Sequence, residues 1–277
     1  MMTHRQILDA AVSKLLEAGI VEASNDAYII FEEAFQMNRT GYLIKANEEA
    51  DEKLIPVFDD MINRRAAHEP LQYILGKAYF MGLEFMVSPD VLIPRFDTEI
   101  MVEEALKHIR SDMRVLDVCT GSGCIGVSVA KLSGAEVVAV DISEAALAMA
   151  KKNAAHNGTS NVTFIHSDMF SNVEGQFDVI LSNPPYIRSD EVLKLMPEVL
   201  VHEPHLALDG HEDGLFFYEI LARESGRFLK PSGMLIMEIG YDQAEEVSGL
   251  LENNNFTDIR VIRDLAGLDR VVCGRRK

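Results

Sequence analysis

The run Val115-Leu116-Asp117-Val118, followed by Cys119-Thr120-Gly121-Ser122-Gly123-Cys124-Ile125-Gly126, constrains this chain more than any other stretch. An apolar strand-like segment meets a glycine-bearing turn, and the residues beyond read as a helix. In such a unit, backbone N–H groups at the helix start approach a ligand closely. The pattern then repeats. Apolar runs at 136–140, 162–165, 177–181 and 234–239 alternate with helical stretches, the rhythm of parallel strands joined by crossover helices. The expected fold class is therefore α/β, with a Rossmann-like doubly wound sheet. Two apolar segments at 259–261 and 270–273, joined by a glycine-containing loop, read as a closing pair of strands.

The preceding residues have another character. Thr3 and Gln6 form a capping-box pattern, and Ile7, Ala11 and Leu15 share one face of a helix that stops at Gly19. Ser24 or Asn25 is placed to cap a second helix carrying Ala27, Ile30, Phe31, Ala34 and Phe35. A third helix is expected over 47–67, kinked at Pro56. From 71 to 88 the period changes, and two short strands around turns are expected. A helix starting near Asp97 and Thr98 follows. The expected division is a small helical domain over 1–70, a linking β-hairpin over 71–90 and the α/β domain over 91–277.

With 26 basic and 44 acidic side chains the formal charge is −18. The mean field repels phosphate backbones and anionic lipid surfaces, so neither direct nucleic-acid binding nor membrane association is expected. No apolar run follows the first charged residues, and none reaches the length of a membrane span. Three cysteines, Cys119, Cys124 and Cys273, suit buried thiols in a reducing compartment, and a cytoplasmic location is expected.

Asp141 stands at the end of the strand after the glycine turn, where a carboxylate can accept both hydroxyls of a ribose. This implies an adenosine-bearing cofactor. Gly121, Gly123 and Gly126 formally match a dinucleotide turn as well, so a dehydrogenase is the first competitor. Asp117 argues against it, since a carboxylate at the strand end can receive the ammonium of a methionine moiety. An acidic rim also suits a positive sulfonium. Asp168, just after the third strand, can accept from an exocyclic adenine amine, and Met169 with Ile142 can sandwich the ring. S-adenosyl-L-methionine is the cofactor expected, held by Asp117, Gly121, Gly123, Asp141, Ile142, Asp168, Met169 and Asn183.

Ser182-Asn183-Pro184-Pro185-Tyr186 follows the next strand. An amide or amino nitrogen conjugated to a π-system is a poor nucleophile. Two fixed acceptors, the Asn183 side-chain oxygen and the Pro184 backbone carbonyl, can hold both N–H bonds of a planar NH2 group so that its lone pair points at the methyl. Pro185 stiffens the turn, and Tyr186 can stack on the flat group. Asn183, Pro184 and Tyr186 are the expected catalytic residues, and no metal is needed. His202, Glu203 and His205 could suggest a metal site, but Pro204 interrupts the helix that such spacing requires.

With these residues assembled, the chain resembles the protein-(glutamine-N5) methyltransferases of the PrmC/HemK family, which modify peptide chain release factors. The resemblance runs through His68-Glu69-Pro70-Leu71-Gln72-Tyr73-Ile74-Leu75-Gly76, Leu92-Ile93-Pro94-Arg95-Phe96-Asp97-Thr98-Glu99, the turn from Asp117 to Gly123, the Asn183 to Tyr186 element, Glu203-Pro204, Ala207-Leu208 and Asp213-Gly214-Leu215. It implies a seven-stranded class I methyltransferase domain and a helical N-terminal domain that receives the release factor. The acceptor it implies is the glutamine of a Gly-Gly-Gln loop, whose methylation modulates translation termination. By the same resemblance Cys119, Thr120, Gly121, Ser122, Gly123, Asp141 and Met169 contact the cofactor, Asn183, Pro184, Pro185 and Tyr186 contact that glutamine, and Phe96 and Thr98 line the adjoining pocket. The Asn-Pro-Pro-Tyr element is shared with N6-adenine nucleic-acid methyltransferases, which are the alternative. Cys119 replaces the first glycine of the wider family's turn, and is expected to keep a backbone conformation that a side chain tolerates. Phe96 stands where a proline is common, and Met169 where an aromatic is frequent.

Overall fold

The computed structural model describes residues 2–277, which divide into two units: residues 2–76 with Met196–His202, and Lys77–Leu195 with Glu203–Lys277. Among the described residues no helix is long and apolar enough to cross a membrane.

The first unit is helical: α1 (His4–Glu17), α2 (Ala23–Phe35), α3 (Arg39–Lys45), α4 (Ile55–Ala66) and α5 (Leu71–Leu75). The capping box at Thr3 is formed, with the Gln6 amide N–H donating to the Thr3 hydroxyl and the Gln6 side chain accepting from the Thr3 N–H. Ile7, Leu15, Ile30, Phe31, Phe58 and Ile62 make the apolar centre, and Phe31 stacks on Phe35 with ring centroids 4.6 Å apart.

Three sequence expectations need correction here. The second helix begins at Ala23, ahead of Ser24 and Asn25. The third begins only at Ile55, with Pro56 in its first turn, where the missing N–H costs nothing and no kink is required. Residues 71–75 are helical rather than extended, because Ile74 turns into the apolar centre of this unit and Gly76, at φ 71°, ends the helix. The unit boundary therefore falls after Gly76.

The second unit starts with the hairpin β1 (Lys77–Phe80) and β2 (Leu83–Met86), then continues α6 (Phe96–Leu106), β3 (Arg114–Val118), α7 (Cys124–Ser133), β4 (Glu136–Asp141), α8 (Glu144–His156), β5 (Val162–His166), β6 (Phe177–Ser182) and α9 (Ser189–Val192). After α10 (Pro197–His202), which belongs to the first unit, come α11 (Phe216–Phe228), β7 (Leu229–Glu238), α12 (Ala244–Asn253), β8 (Phe256–Arg263) and β9 (Asp269–Arg276). Seven strands form one sheet in the order β5-β4-β3-β6-β7-β9-β8, parallel except for β9, which runs antiparallel to both neighbours.

The strands are apolar throughout because both faces are covered, and successive side chains serve opposite faces. Val115, Val179, Leu181 and Ile236 pack with Met101 of α6 and Ile125 of α7. Leu116, Ile180, Leu235 and Val272 pack with Leu221 of α11 and Leu251 of α12 on the other side.

One ion-pair group ties the first unit across long sequence separations. Arg65, nearly buried on α4, donates to Asp26 of α2 and to Glu198 of α10, both at 2.7 Å. Removing the cation leaves the buried Asp26 carboxylate without its partner, whereas removing Glu198 leaves the inner pair intact. Arg65→Ala is therefore expected to destabilise the first unit by about 3–5 kcal/mol and Glu198→Ala by much less. Urea titration followed by circular dichroism checks both; equal losses would contradict this hierarchy.

Candidate active site

The register of β3 and β6 sets Val118 opposite Ser182, and the Ser182 hydroxyl donates to the Val118 carbonyl at 2.9 Å. The turns that follow these strands open side by side at the carboxyl edge of the sheet. Chain order switches between these two strands, which is where open α/β sheets bind ligands. A cavity of about 310 Å³ lies there. Cys119, Thr120, Gly121 and Ser122 line it after β3, Asp141 and Ile142 after β4, Asp168 and Met169 after β5, and Asn183 and Pro185 after β6.

The turn is held by carboxylates. Asp141 accepts from the Gly121 N–H at 2.8 Å and the Ser143 N–H at 2.9 Å. Burial raises its pKa, and these backbone donors oppose the rise. Asp117 is completely buried beneath the turn, and its Oδ2 accepts from the Thr120 hydroxyl at 2.6 Å and the Gly126 N–H at 2.9 Å. Its Oδ1 is buried with no hydrogen-bond partner. Burial pushes this carboxyl up to about 7, against the pull of Thr120 and Gly126. Asp117 is outside the cavity lining, beneath the turn, whereas the sequence reading had it receive a ligand ammonium. Gly123 is also outside the lining. At φ 82° it caps α7, and a Cβ there would come within 2.9 Å of the Ala150 Cβ, so glycine permits the close approach of this turn to α8.

Cys119 departs from expectation. Its φ is 62°, the left-handed region that favours glycine, so the side chain is carried at a conformational cost of roughly 1–2 kcal/mol. Met169, at φ 46°, lies beside it with its sulfur 3.8 Å from the Cys119 thiol. Burial and the nearby Asp141 push that thiol's pKa up, which keeps it neutral.

At the turn after β6, Asn183 donates through Nδ2 to the hydroxyl of Thr98 at 3.2 Å. Thr98 sits in the first turn of α6, is buried, and lines the cavity. The other residues expected at the acceptor side are placed less simply. Phe96 is 77% exposed and outside the lining. Pro184 and Tyr186 are also outside it, and the Tyr186 hydroxyl donates to Glu238 Oε1 at 3.2 Å, which directs that ring to the end of β7.

Two acidic residues took no part in the site read from the sequence. Glu203, buried, receives both of its bonds from Arg95 Nη2, at 2.6 and 2.7 Å, and Arg95 lines the cavity. Burial raises the Glu203 pKa and Arg95 opposes it. Among the described residues no group of three or more His, Cys, Asp or Glu could hold a metal ion. Glu238 is a single carboxylate ending an otherwise apolar strand core, a mark visible in the sequence but ambiguous there. His211, Phe216 and Phe217 add an aromatic wall, with the His211 and Phe216 rings 4.4 Å apart.

The fit to an adenosine-bearing cofactor is good on these grounds. A carboxylate ends β4, backbone N–H groups turn about it, apolar Ile142 and Met169 flank the cavity, and an orphaned carboxylate oxygen lies buried below.

Comparison with known proteins agrees with this geometry. The family model described as PrmC N-terminal domain matches residues 6–76, and the one described as Methyltransferase small domain matches 95–212. A release factor glutamine methyltransferase of Geobacter sulfurreducens is 41% identical over 99% of this chain and 96% of its own length. One of Clostridium acetobutylicum is 40% identical over 99% of each. A methyltransferase structure from Pyrococcus furiosus, 20% identical, superposes with a TM-score of 0.58 over 77% of this chain and 98% of that one, a likeness of fold. Two such relatives, matched along nearly their whole length, place the chain in the release factor glutamine methyltransferase family.

Proposed function

We propose that the chain transfers a methyl group from S-adenosyl-L-methionine to the side-chain amide nitrogen of a glutamine, in the Gly-Gly-Gln loop of peptide chain release factors. The observation that carries this reading is the commitment of Asn183 Nδ2 to Thr98, which makes Oδ1 the atom available to an N–H donor in the cavity. Bound in the cavity, the cofactor supplies an electrophilic methyl on a positive sulfur. The protein has to make an amide nitrogen attack it.

Asn183 Oδ1 and the Pro184 carbonyl accept the two N–H bonds of the acceptor amide and hold it with its lone pair toward the methyl. Both acceptors also stabilise positive charge developing on that nitrogen, and Pro185 keeps them from reorganising. Asp141 takes the ribose hydroxyls, and Asp168 the adenine amine between Ile142 and Met169. Asp117 acts from below. Its unpaired oxygen and raised pKa fit a carboxylate that ionises fully only when a cation comes near. The first unit, with no chemistry of its own, receives the release factor, and its exposed Leu43 and Ile44 on α3 are suited to that contact.

Asn183→Ala is expected to lower transfer by about a hundredfold to a thousandfold, by analogy with loss of a preorganised hydrogen-bond partner, with cofactor affinity nearly unchanged. Transfer of labelled methyl to intact release factor, with mass mapping of the product, measures it. Wild-type rates would remove the mechanism.

The sign for Asp117 follows from its raised pKa: the proton is held below about 7 and lost above it. Cofactor affinity should rise with pH through that range, and binding should release a proton. Calorimetry in buffers of different ionisation enthalpy reads both, and Asp117→Asn should abolish the release. Unchanged proton release in that variant would assign it elsewhere.

The double change Leu43→Asp with Ile44→Asp should reduce kcat/KM on intact release factor several-fold while leaving cofactor binding alone. Equal turnover of the double variant would mean that this surface does not receive the partner.

A further inference from the structure

Glu238 ends β7 almost wholly buried, with Oε1 accepting from Tyr186 and Oε2 lacking a hydrogen-bond partner. The Thr98 hydroxyl faces it and stabilises its ionised form. Thr98 also accepts from Asn183 Nδ2. A hydroxyl that accepts one hydrogen bond still has its own hydrogen to donate, and here the carboxylate is the acceptor facing it. Asn183 donates to Thr98, and Glu238, whose Oε2 is left without a partner, is the acceptor toward which the Thr98 hydrogen can turn.

That direction matters because an asparagine amide is nearly symmetric in shape. Turned over, it would present NH2 to the cavity and oppose the N–H of an acceptor amide. We propose that Glu238 is a positioning residue which, acting through Thr98, fixes the end of the Asn183 amide that meets the acceptor. This rests on the reading that Asn183 holds the acceptor amide.

The groups facing Glu238 are Arg270 of β9, Asp97 and Thr98 of α6, and Tyr186 after β6; Tyr218 of α11 donates to its main-chain carbonyl at 2.9 Å. Burial raises the Glu238 pKa, with Asp97 adding to the rise, while Thr98, Arg270 and Tyr186 oppose it. A protonated Glu238 carries a hydrogen of its own. It can donate to Thr98, and Thr98 can then donate to Asn183 Oδ1, reversing the chain. Transfer is therefore supported above the Glu238 pKa and lost as pH falls through it, in a range above that of ordinary glutamates.

The test is kcat for intact release factor at saturating cofactor, from about pH 5 to pH 9, beside cofactor affinity measured separately. The wild type should show an acid limb. Glu238→Gln and Thr98→Val should each lower kcat by about tenfold or more and flatten that limb, with cofactor affinity within about twofold. Thr98→Ser should restore both features. A Glu238→Gln protein with wild-type kcat and an intact limb would overturn the proposal. Should that variant fail to fold, Thr98→Val decides by the same two readings. A wild type that methylates the glutamine while both variants behave normally removes only the relay. A wild type that binds cofactor and methylates no glutamine overturns the functional reading, and the role of Glu238 falls with it.

Discussion

After β5 the chain crosses back over the sheet and lays β6 against β3, with Val118 opposite Ser182 and the Ser182 hydroxyl on the Val118 carbonyl. The glycine turn leaves one of these strand ends and the Asn-Pro-Pro-Tyr turn leaves the other, so the two turns open side by side across a single strand spacing of about 4.8 Å. A shift of register by one residue would send Asn183 to the opposite face. Tight burial of β3 and β6 against both helical layers makes such a slip costly, and the precision of the site derives from that packing.

Buried carboxylates give the site its electrostatic character. Asp117, Asp141, Glu203 and Glu238 all lie near the carboxyl edge of the sheet, and burial raises each pKa. Their partners differ. Asp141 is held by backbone N–H groups, Glu203 by a guanidinium and Glu238 by the Tyr186 hydroxyl, while Asp117 and Glu238 each keep one oxygen unmatched. A low-dielectric edge carrying these carboxylates disfavours anionic ligands and favours a cationic one, whose approach favours their ionised forms.

Much of this was legible because strands buried on both faces leave continuous apolar runs, and because glycine and proline mark turns. The sheet segments and the two turns are visible that way, and the Thr3 cap through the Thr3–Gln6 spacing. What escaped the sequence lacks a local signal. Residues 71–75 carry Tyr, Ile and Leu, which suit a strand, and five residues are too few for a helical period to register. α3 has no buried residue, hence no apolar stripe to read. Arg95 and Glu203 meet across 108 positions, and no pattern within either segment announces the pair. Cys119 is subtler. Substitution of a glycine suggested a relaxed backbone, yet the turn imposes its left-handed conformation on whichever residue occupies it.

The first unit takes Met196–His202 from a distant part of the chain, and Glu198 in that segment completes the ion-pair group around Arg65. A gene rearrangement that exchanged residues 2–76 for those of a diverged relative would bring in a new Arg65 environment while leaving the old helix α10 behind. The two segments are therefore bound to be inherited together, although some 120 residues of sequence separate them. Recombination at the apparent domain border, harmless in a chain of beads, would here divide one folding unit between two ancestries.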